Sequence, residues 1–161
     1  MVAVTPTARV IEVASARGLD VDVRAFPQGT RTADDAAAAI GCDVSQIVKS
    51  LVFMVDGEPV VALVAGPDRL DERKLADAAG GVEVRRATGD EVRTATGFVI
   101  GGVPPFGHAI SLRCFVDRAL LDHDVVWAAA GTPTDVFAAA PAALASAADA
   151  QVADLRVTHG A

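Results

Sequence analysis

The chain has 161 residues, 52% of them hydrophobic but only 4% aromatic, and a formal net charge of −7. That length suits one domain with a core large enough to need no disulfide or structural metal, and the hydrophobic fraction excludes a disordered chain. The acidic balance argues against a protein that coats long nucleic acids, because such binding is driven by phosphate neutralisation.

The N-terminal residues carry no basic stretch followed by an apolar run, so no secretory signal is expected. No apolar run reaches the roughly 18 residues that a membrane span needs, and no membrane partner is expected. Thr7 to Arg17 reads as a helix with Val10, Ile11 and Val13 apolar and Gly18 as its stop. Asp20 to Phe26 alternates with period two and reads as a strand. Gln28-Gly29-Thr30 is a turn, and Thr32 caps an alanine-rich helix that ends near Gly41. Gln46 to Val55 is apolar and β-branched; Asp56-Gly57 is a tight-hairpin signal, and Pro59 to Ala65 returns as a second strand. Asp71 caps a helix through Ala79, stopped by Gly80-Gly81. Val82 to Arg86 is a short strand, and Thr88 to Thr96 a short helix ending at Gly97. A Gly/Pro loop follows from Gly101 to His108. Leu112 to Val116, Val125 to Ala129 and Asp135 to Ala138 are further strands, Pro141 to Ala148 is a late helix, and Val152 to Val157 is a last short segment.

The hairpin strands must be antiparallel, and no GxGxxG follows the first strand, so a doubly wound nucleotide fold is excluded. The expected architecture is a single α/β (α+β) domain: a mixed, twisted sheet or partial barrel with helices around it.

Of the 14 basic residues only Lys49 and Lys74 are lysines, the rest being arginines. A lysine is a compact point charge that Arg does not always replace, and Lys49 stands in the apolar run IVKSLVF. It could polarise a carbonyl or hold a phosphate; the plain alternative is an edge lysine whose stem covers apolar neighbours. Gly101 and Gly102 could bring N–H groups to an oxyanion, or simply make a tight turn before Pro104-Pro105. His108 could act as a base or cap a turn. Phe26, Ile47 and Val103 are candidates for a pocket wall, with core packing as the alternative, while Phe53, Phe98, Phe115 and Trp127 read as core. Arg69, Arg73, Lys74, Arg85, Arg86 and Arg93 would offer RNA a basic patch if they shared a face; a solvated helix face pairing with Asp71, Glu72 and Asp77 is the favoured reading of them. Cys42 and Cys114 lack a partner base and read as buried thiols of a reducing cytoplasm. No CxxC, HExxH or zinc-ligand spacing occurs, so neither metal nor cofactor is expected.

Six blocks, in order, resemble YbaK/prolyl-tRNA-editing domains: Thr32 to Gly41 (TADDAAAAIG), Ile47 to Phe53 (IVKSLVF), Gly57 to Ala65 (GEPVVALVA), Leu70 to Ala79 (LDERKLADAA), Thr96 to His108 (TGFVIGGVPPFGH) and Val126 to Gly131 (VWAAAG). The resemblance spans roughly residues 5–155 of a single domain over 1–161. It implies hydrolysis of the ester between a wrong amino acid and the 3′ end of a tRNA. Lys49, Gly101 and Gly102 would be catalytic; Phe26, Ile47, Val103, Pro104, His108, Gly131 and Asp135 would bind substrate. The chain departs from the family at Phe26-Pro27, at His108 and at Thr132-Pro133-Thr134, which bears on the acyl group accepted. Small aminoacyl groups (Ala, Cys, Ser, Thr) are expected, in a cytoplasmic monomer or homodimer whose partners are the aminoacylated tRNA end and, as a further candidate, a synthetase. A non-catalytic binder of the same tRNA end and a hydrolase of another small ester are the competing readings.

Overall fold

The computed structural model describes residues 5–26 and 32–158. Hydroxyl and carboxylate caps set most helix starts. The Thr5 hydroxyl accepts from the Ala8 N–H and opens α1 (Pro6–Ala16), with Pro6 where no donor is needed. After β1 (Val23–Ala25), the Thr32 hydroxyl accepts from the Asp35 N–H to open α2 (Ala33–Ile40). β2 (Val48–Val55) and β3 (Glu58–Ala65) form a hairpin through Asp56 and Gly57, both at positive φ, as a two-residue turn of matching twist requires. Asp71 caps α3 (Glu72–Ala79), and Gly80 ends it in the left-handed region. β4 (Val84–Arg86) leads into α4 (Gly89–Thr96), whose Thr88 and Glu91 form a reciprocal capping box. Then come β5 (Arg113–Asp117), β6 (Val126–Ala129), β7 (Asp135–Ala139), α5 (Pro141–Ala147) and β8 (Ala150–Ala153).

The domain has the expected mixed α/β character, with its strands divided between two sheets that do not close into a barrel. The larger has the order β4-β2-β3-β5-β8, antiparallel on the β2 side and parallel from β3 onward. The smaller, β1-β7-β6, is antiparallel. A single bridge, Ile47 to Trp127, ties the start of β2 to β6. One face of the large sheet (Val48, Val52, Val61, Leu63) packs against Val103, Phe106, Ala128 and Phe137. The opposite face (Phe53, Val60, Val64) packs with Leu75 of α3, Phe115 and Leu155. β3 is therefore buried on both faces, with Val61, Ala62, Leu63 and Val64 at 0% exposure. Truncating Leu63 to Ala there should cost about 2–5 kcal/mol.

Two boundaries differ from the sequence reading. The strand expected from Gln46 begins at Val48, because Asp43 and Gln46 cap a 3-10 turn over Val44–Gln46. The last segment, expected at Val152 to Val157, pairs with β5 only over Ala150–Ala153. Beyond it the chain is anchored by the buried Asp117 carboxylate, which accepts from the Leu155 and Arg156 N–H groups, and by an antiparallel bridge between Arg156 and Leu70. The turn expected at Gln28-Gly29-Thr30 lies outside the described residues. No helix among them is long and apolar enough to cross a membrane.

Candidate functional site

The outer edge of β2 is covered incompletely. β4 pairs with it over Phe53 to Val55, and β6 touches it at Ile47. Between these pairings opens a cleft of about 440 Å³, lined among others by Lys49, Ser50, Arg86, Gly101, Val103 and Trp127 and flanked by the start of α2.

Lys49 is half-buried, and its Nζ donates to the Asp68 carbonyl at 2.5 Å. An ammonium has three donors; two are left without a partner among the described residues. Burial pushes the Lys49 pKa down, and Arg86 adds to this, while the Asp68 charge opposes it. Asp68 itself lies 3.6 Å from the Arg156 guanidinium. The cleft thus holds a half-buried cation with spare donors, an arrangement suited to stabilising charge that develops on a carbonyl oxygen.

Gly101, at φ 91°, lines the cleft, and no described group takes its N–H. Gly102 serves differently from the expected oxyanion donor. Its N–H donates to the Val99 carbonyl at 2.9 Å, and a Cβ there would lie 2.8 Å from the Thr132 Cα. It is a glycine of close packing, and an oxyanion hole made from both N–H groups is not present.

His108 is separated from Lys49 by the loop itself. Its Nε2 donates to the Pro104 carbonyl at 2.7 Å, and the residue lines a second cavity with Arg17 and Cys114. Burial pushes its pKa down. Arg9 of α1 reaches the same turn, donating to the Gly107 and His108 carbonyls at 2.7 and 3.1 Å. Pro104 is buried, and its described role is to accept the His108 bond. Gly131 is buried against α1, where a Cβ would meet the Pro6 backbone at 2.8 Å. Asp135 accepts from the Thr7 and Thr132 hydroxyls at 3.2 and 2.5 Å, and its neighbour Val136 lines the cleft instead. The Phe26 N–H extends the β1–β7 pairing to the Thr134 carbonyl, and Phe26 does not line the cleft.

The structure therefore brings Lys49, Ile47, Gly101 and Val103 together, and places Phe26, Gly102, Pro104, His108, Gly131 and Asp135 in the support around them. Ile47 also packs on Ala36 and Ala37, so its wall and core readings coincide. Sequence reasoning passed over Ser50, took Trp127 as core, and saw Arg86 only as part of a basic group. A lone hydroxyl inside VKSLVFMV was the available signal for Ser50. The basic group disperses: Lys74 binds the C-terminal segment, Arg85 makes a two-pronged pair with Glu91, and Arg86 sits over Phe53 at the cleft. The Arg85 guanidinium holds the Glu91 carboxyl down to about 2. Burial pushes the Cys114 thiol up to about 12 and raises Cys42 as well, so neither thiol is poised as a nucleophile. No cluster of three or more metal-ligating side chains occurs among the described residues.

Residues 27–147 match the aminoacyl-tRNA editing domain family. A proline–tRNA ligase of Maridesulfovibrio salexigens is 39% identical over 93 residues, covering 58% of this chain; the chain spans only 16% of that ligase's length. The uncharacterised protein YwhH of Bacillus subtilis (strain 168) is 33% identical over 120 residues, 74% of this chain and 76% of YwhH. A solved structure provisionally described as a trans-editing enzyme for prolyl tRNA synthetase superposes with a TM-score of 0.89 at 45% identity, covering 95% of this chain and 98% of the other. With the match running through β2, the glycine loop and β6, which together enclose the cleft, this chain belongs to the aminoacyl-tRNA editing domain family.

Proposed function

We propose that this protein hydrolyses the ester of a misacylated tRNA in trans, as an aminoacyl-tRNA deacylase for a small amino acid such as Ala, Cys, Ser or Thr. The observation that carries the reading is the half-buried Lys49 ammonium, held by one carbonyl in a cleft that Gly101 also lines, with two donors unpartnered among the described residues. A volume of about 440 Å³ falls in the usual range for small-ligand sites and suits an aminoacylated terminal nucleoside better than a long peptide. The likeness, over nearly the full length of both chains, to a structure described as a trans-editing enzyme supports action outside a synthetase.

In this mechanism the acylated 3′ end enters the cleft, and the ester carbonyl oxygen approaches the Lys49 ammonium. Water adds to the carbonyl carbon; the negative charge that forms on the oxygen is met by Lys49, with the Gly101 N–H as a second donor. Collapse of the tetrahedral intermediate breaks the bond to the ribose oxygen, which takes up the proton that the attacking water gives up, and leaves a free amino acid and a ribose hydroxyl. No protein nucleophile is required, and the protein contributes position and charge. The net charge of −7 is compatible with this role, since only a short RNA end has to be met.

The test is deacylation of tRNAs charged with Ala, Ser, Cys, Thr and Pro, with Lys49→Ala alongside. Rapid loss of one ester that depends on Lys49 is expected. Binding without turnover across the whole panel would overturn the enzyme reading in favour of a binding module.

A further inference from the structure

The register of β2 singles out one residue on its open edge. The Gly66 N–H donates to the Ile47 carbonyl, so odd-numbered positions of β2 direct their backbone groups toward β3. Even-numbered positions direct theirs to the other side: the Ala87 N–H donates to the Val52 carbonyl, and the Asp56 N–H to the Glu83 carbonyl. Val48 lies beside the Ile47–Trp127 bridge, and Val52 is where pairing toward β4 begins. Ser50 falls between them, its N–H and C=O directed at the gap that forms the cleft. Its side chain, by strand alternation, lies on the face of Val48 and Val52, toward Val103 and Ala128. The Ser50 hydroxyl is buried with no hydrogen-bond partner, the only such side-chain atom among the described residues. Buried polar groups are almost always satisfied, so an exception at a cleft marks a place where a water or a ligand group completes the bonding.

We infer that Ser50 reads the amino-acid part of the substrate as though it were one residue of a neighbouring strand. An α-amino acyl ester offers an amine donor and a carbonyl acceptor across one Cα, the same pattern that a strand residue presents to its hydrogen-bonded partner. The amine donates one hydrogen to the Ser50 carbonyl and another to the Ser50 hydroxyl, and the acyl oxygen accepts from the Ser50 N–H. This is strand addition reduced to a single residue. It selects for acyl groups with a free α-amine and leaves the side chain to Val103 and its neighbours. The inference rests on the function proposed above and adds the ligand class that its site accepts.

Amide hydrogen exchange on the full chain tests it, with 3′-deoxy-3′-(L-alanylamino)adenosine as a stable amide probe and its propionylamino counterpart lacking the amine. In the free protein the Ser50 N–H should exchange at least tenfold faster than those of Lys49 and Leu51, which belong to the ladder. The alanyl probe should slow it at least tenfold, the propionyl probe should bind at least tenfold more weakly, and Ser50→Ala should retain the N–H protection while weakening the probe. A Ser50 N–H as slow as its neighbours in the free chain overturns the inference. So does unchanged exchange at Ser50 while Gly101 and Lys49 resonances report a filled cleft, an outcome that leaves the deacylase reading standing. A probe that moves no cleft resonance overturns both.

Discussion

The surroundings of the two lysines differ in how many donors they use. Lys74 Nζ lies 3.0 Å from the Asp154 carboxylate, 2.8 Å from the Arg156 carbonyl and 2.7 Å from the Thr158 hydroxyl, so all three donors are taken. It fastens α3 to the C-terminal segment. Among the described residues Lys49 has one carbonyl partner and no carboxylate within ion-pair distance, and burial pushes its pKa down. A saturated lysine holds structure together; an unsaturated one beside a cleft is available to a ligand. The same residue type in one small domain thus serves as a fastener in one place and as a candidate catalytic group in the other.

The sharpest way to break this comparison is to remove each lysine. Lys49→Ala should lower kcat/KM for the preferred aminoacyl-tRNA by at least 100-fold, matching the roughly 2.7–4 kcal/mol measured when an oxyanion donor is lost. Its melting temperature should stay close to that of the parent; turnover within threefold of the parent would end the assignment. The charge itself can be probed next. Because burial lowers the Lys49 pKa below its ordinary 10.5, the enzyme-dependent rate should fall with rising pH before that value is reached, as the ammonium is lost. Lys49→Arg, charged throughout, should show no such fall in whatever activity it keeps. Lys74→Ala should give the converse result: about 1 kcal/mol less stability in urea unfolding, discounted for the partial exposure of the pair, with the rate at 25 °C within twofold.

His108→Gln should have the smallest effect at neutral pH, a rate within about threefold, whereas loss of a general base would cost about 100-fold or more. The same variant has a signature on stability. The folded-state pKa of His108 lies below its ordinary 6.5, so the unfolded chain takes up its proton first as pH falls. This contribution to stability is intact above pH 6.5 and is lost as pH falls from there toward the lower folded value. His108→Gln should flatten that part of the urea-midpoint profile, and an unchanged profile would show that His108 is not the group responsible.

Local chemistry made much of the fold readable. Thr32 and Gly41 bound α2, Asp71 and Gly80 bound α3, and Asp56-Gly57 turns the central hairpin, each through groups adjacent in the chain. The separation into two sheets was not readable, because it depends on β1 pairing with β7 more than a hundred residues away and on β3 lying parallel to β5. The site divides in the same manner. Lys49 and Gly101 stood out by residue type and by their places in a recognisable pattern. For His108, sequence spacing does not show which side of a loop a residue will occupy: Pro104 and Pro105 are buried between a glycine that lines the cleft and a histidine that lines the second cavity. Ser50 was invisible for a different reason. Its interest lies in hydrogen bonds that its backbone does not make, and these depend on where the neighbouring strands stop.

The first helix bears on how this domain could be moved between proteins. The family match begins at residue 27, yet α1 lies under Gly131 through Pro6, holds Asp135 through Thr7 and clamps the Gly107–His108 turn through Arg9, while Val10 and Ala14 fill the core at 0% exposure. A transplant cut at the match boundary would leave an apolar trench behind the glycine loop and take the α1 partners away from the Gly107 and His108 carbonyls and the Asp135 carboxylate. The portable cassette is set by packing, and it includes the helix that the pattern of the family leaves out.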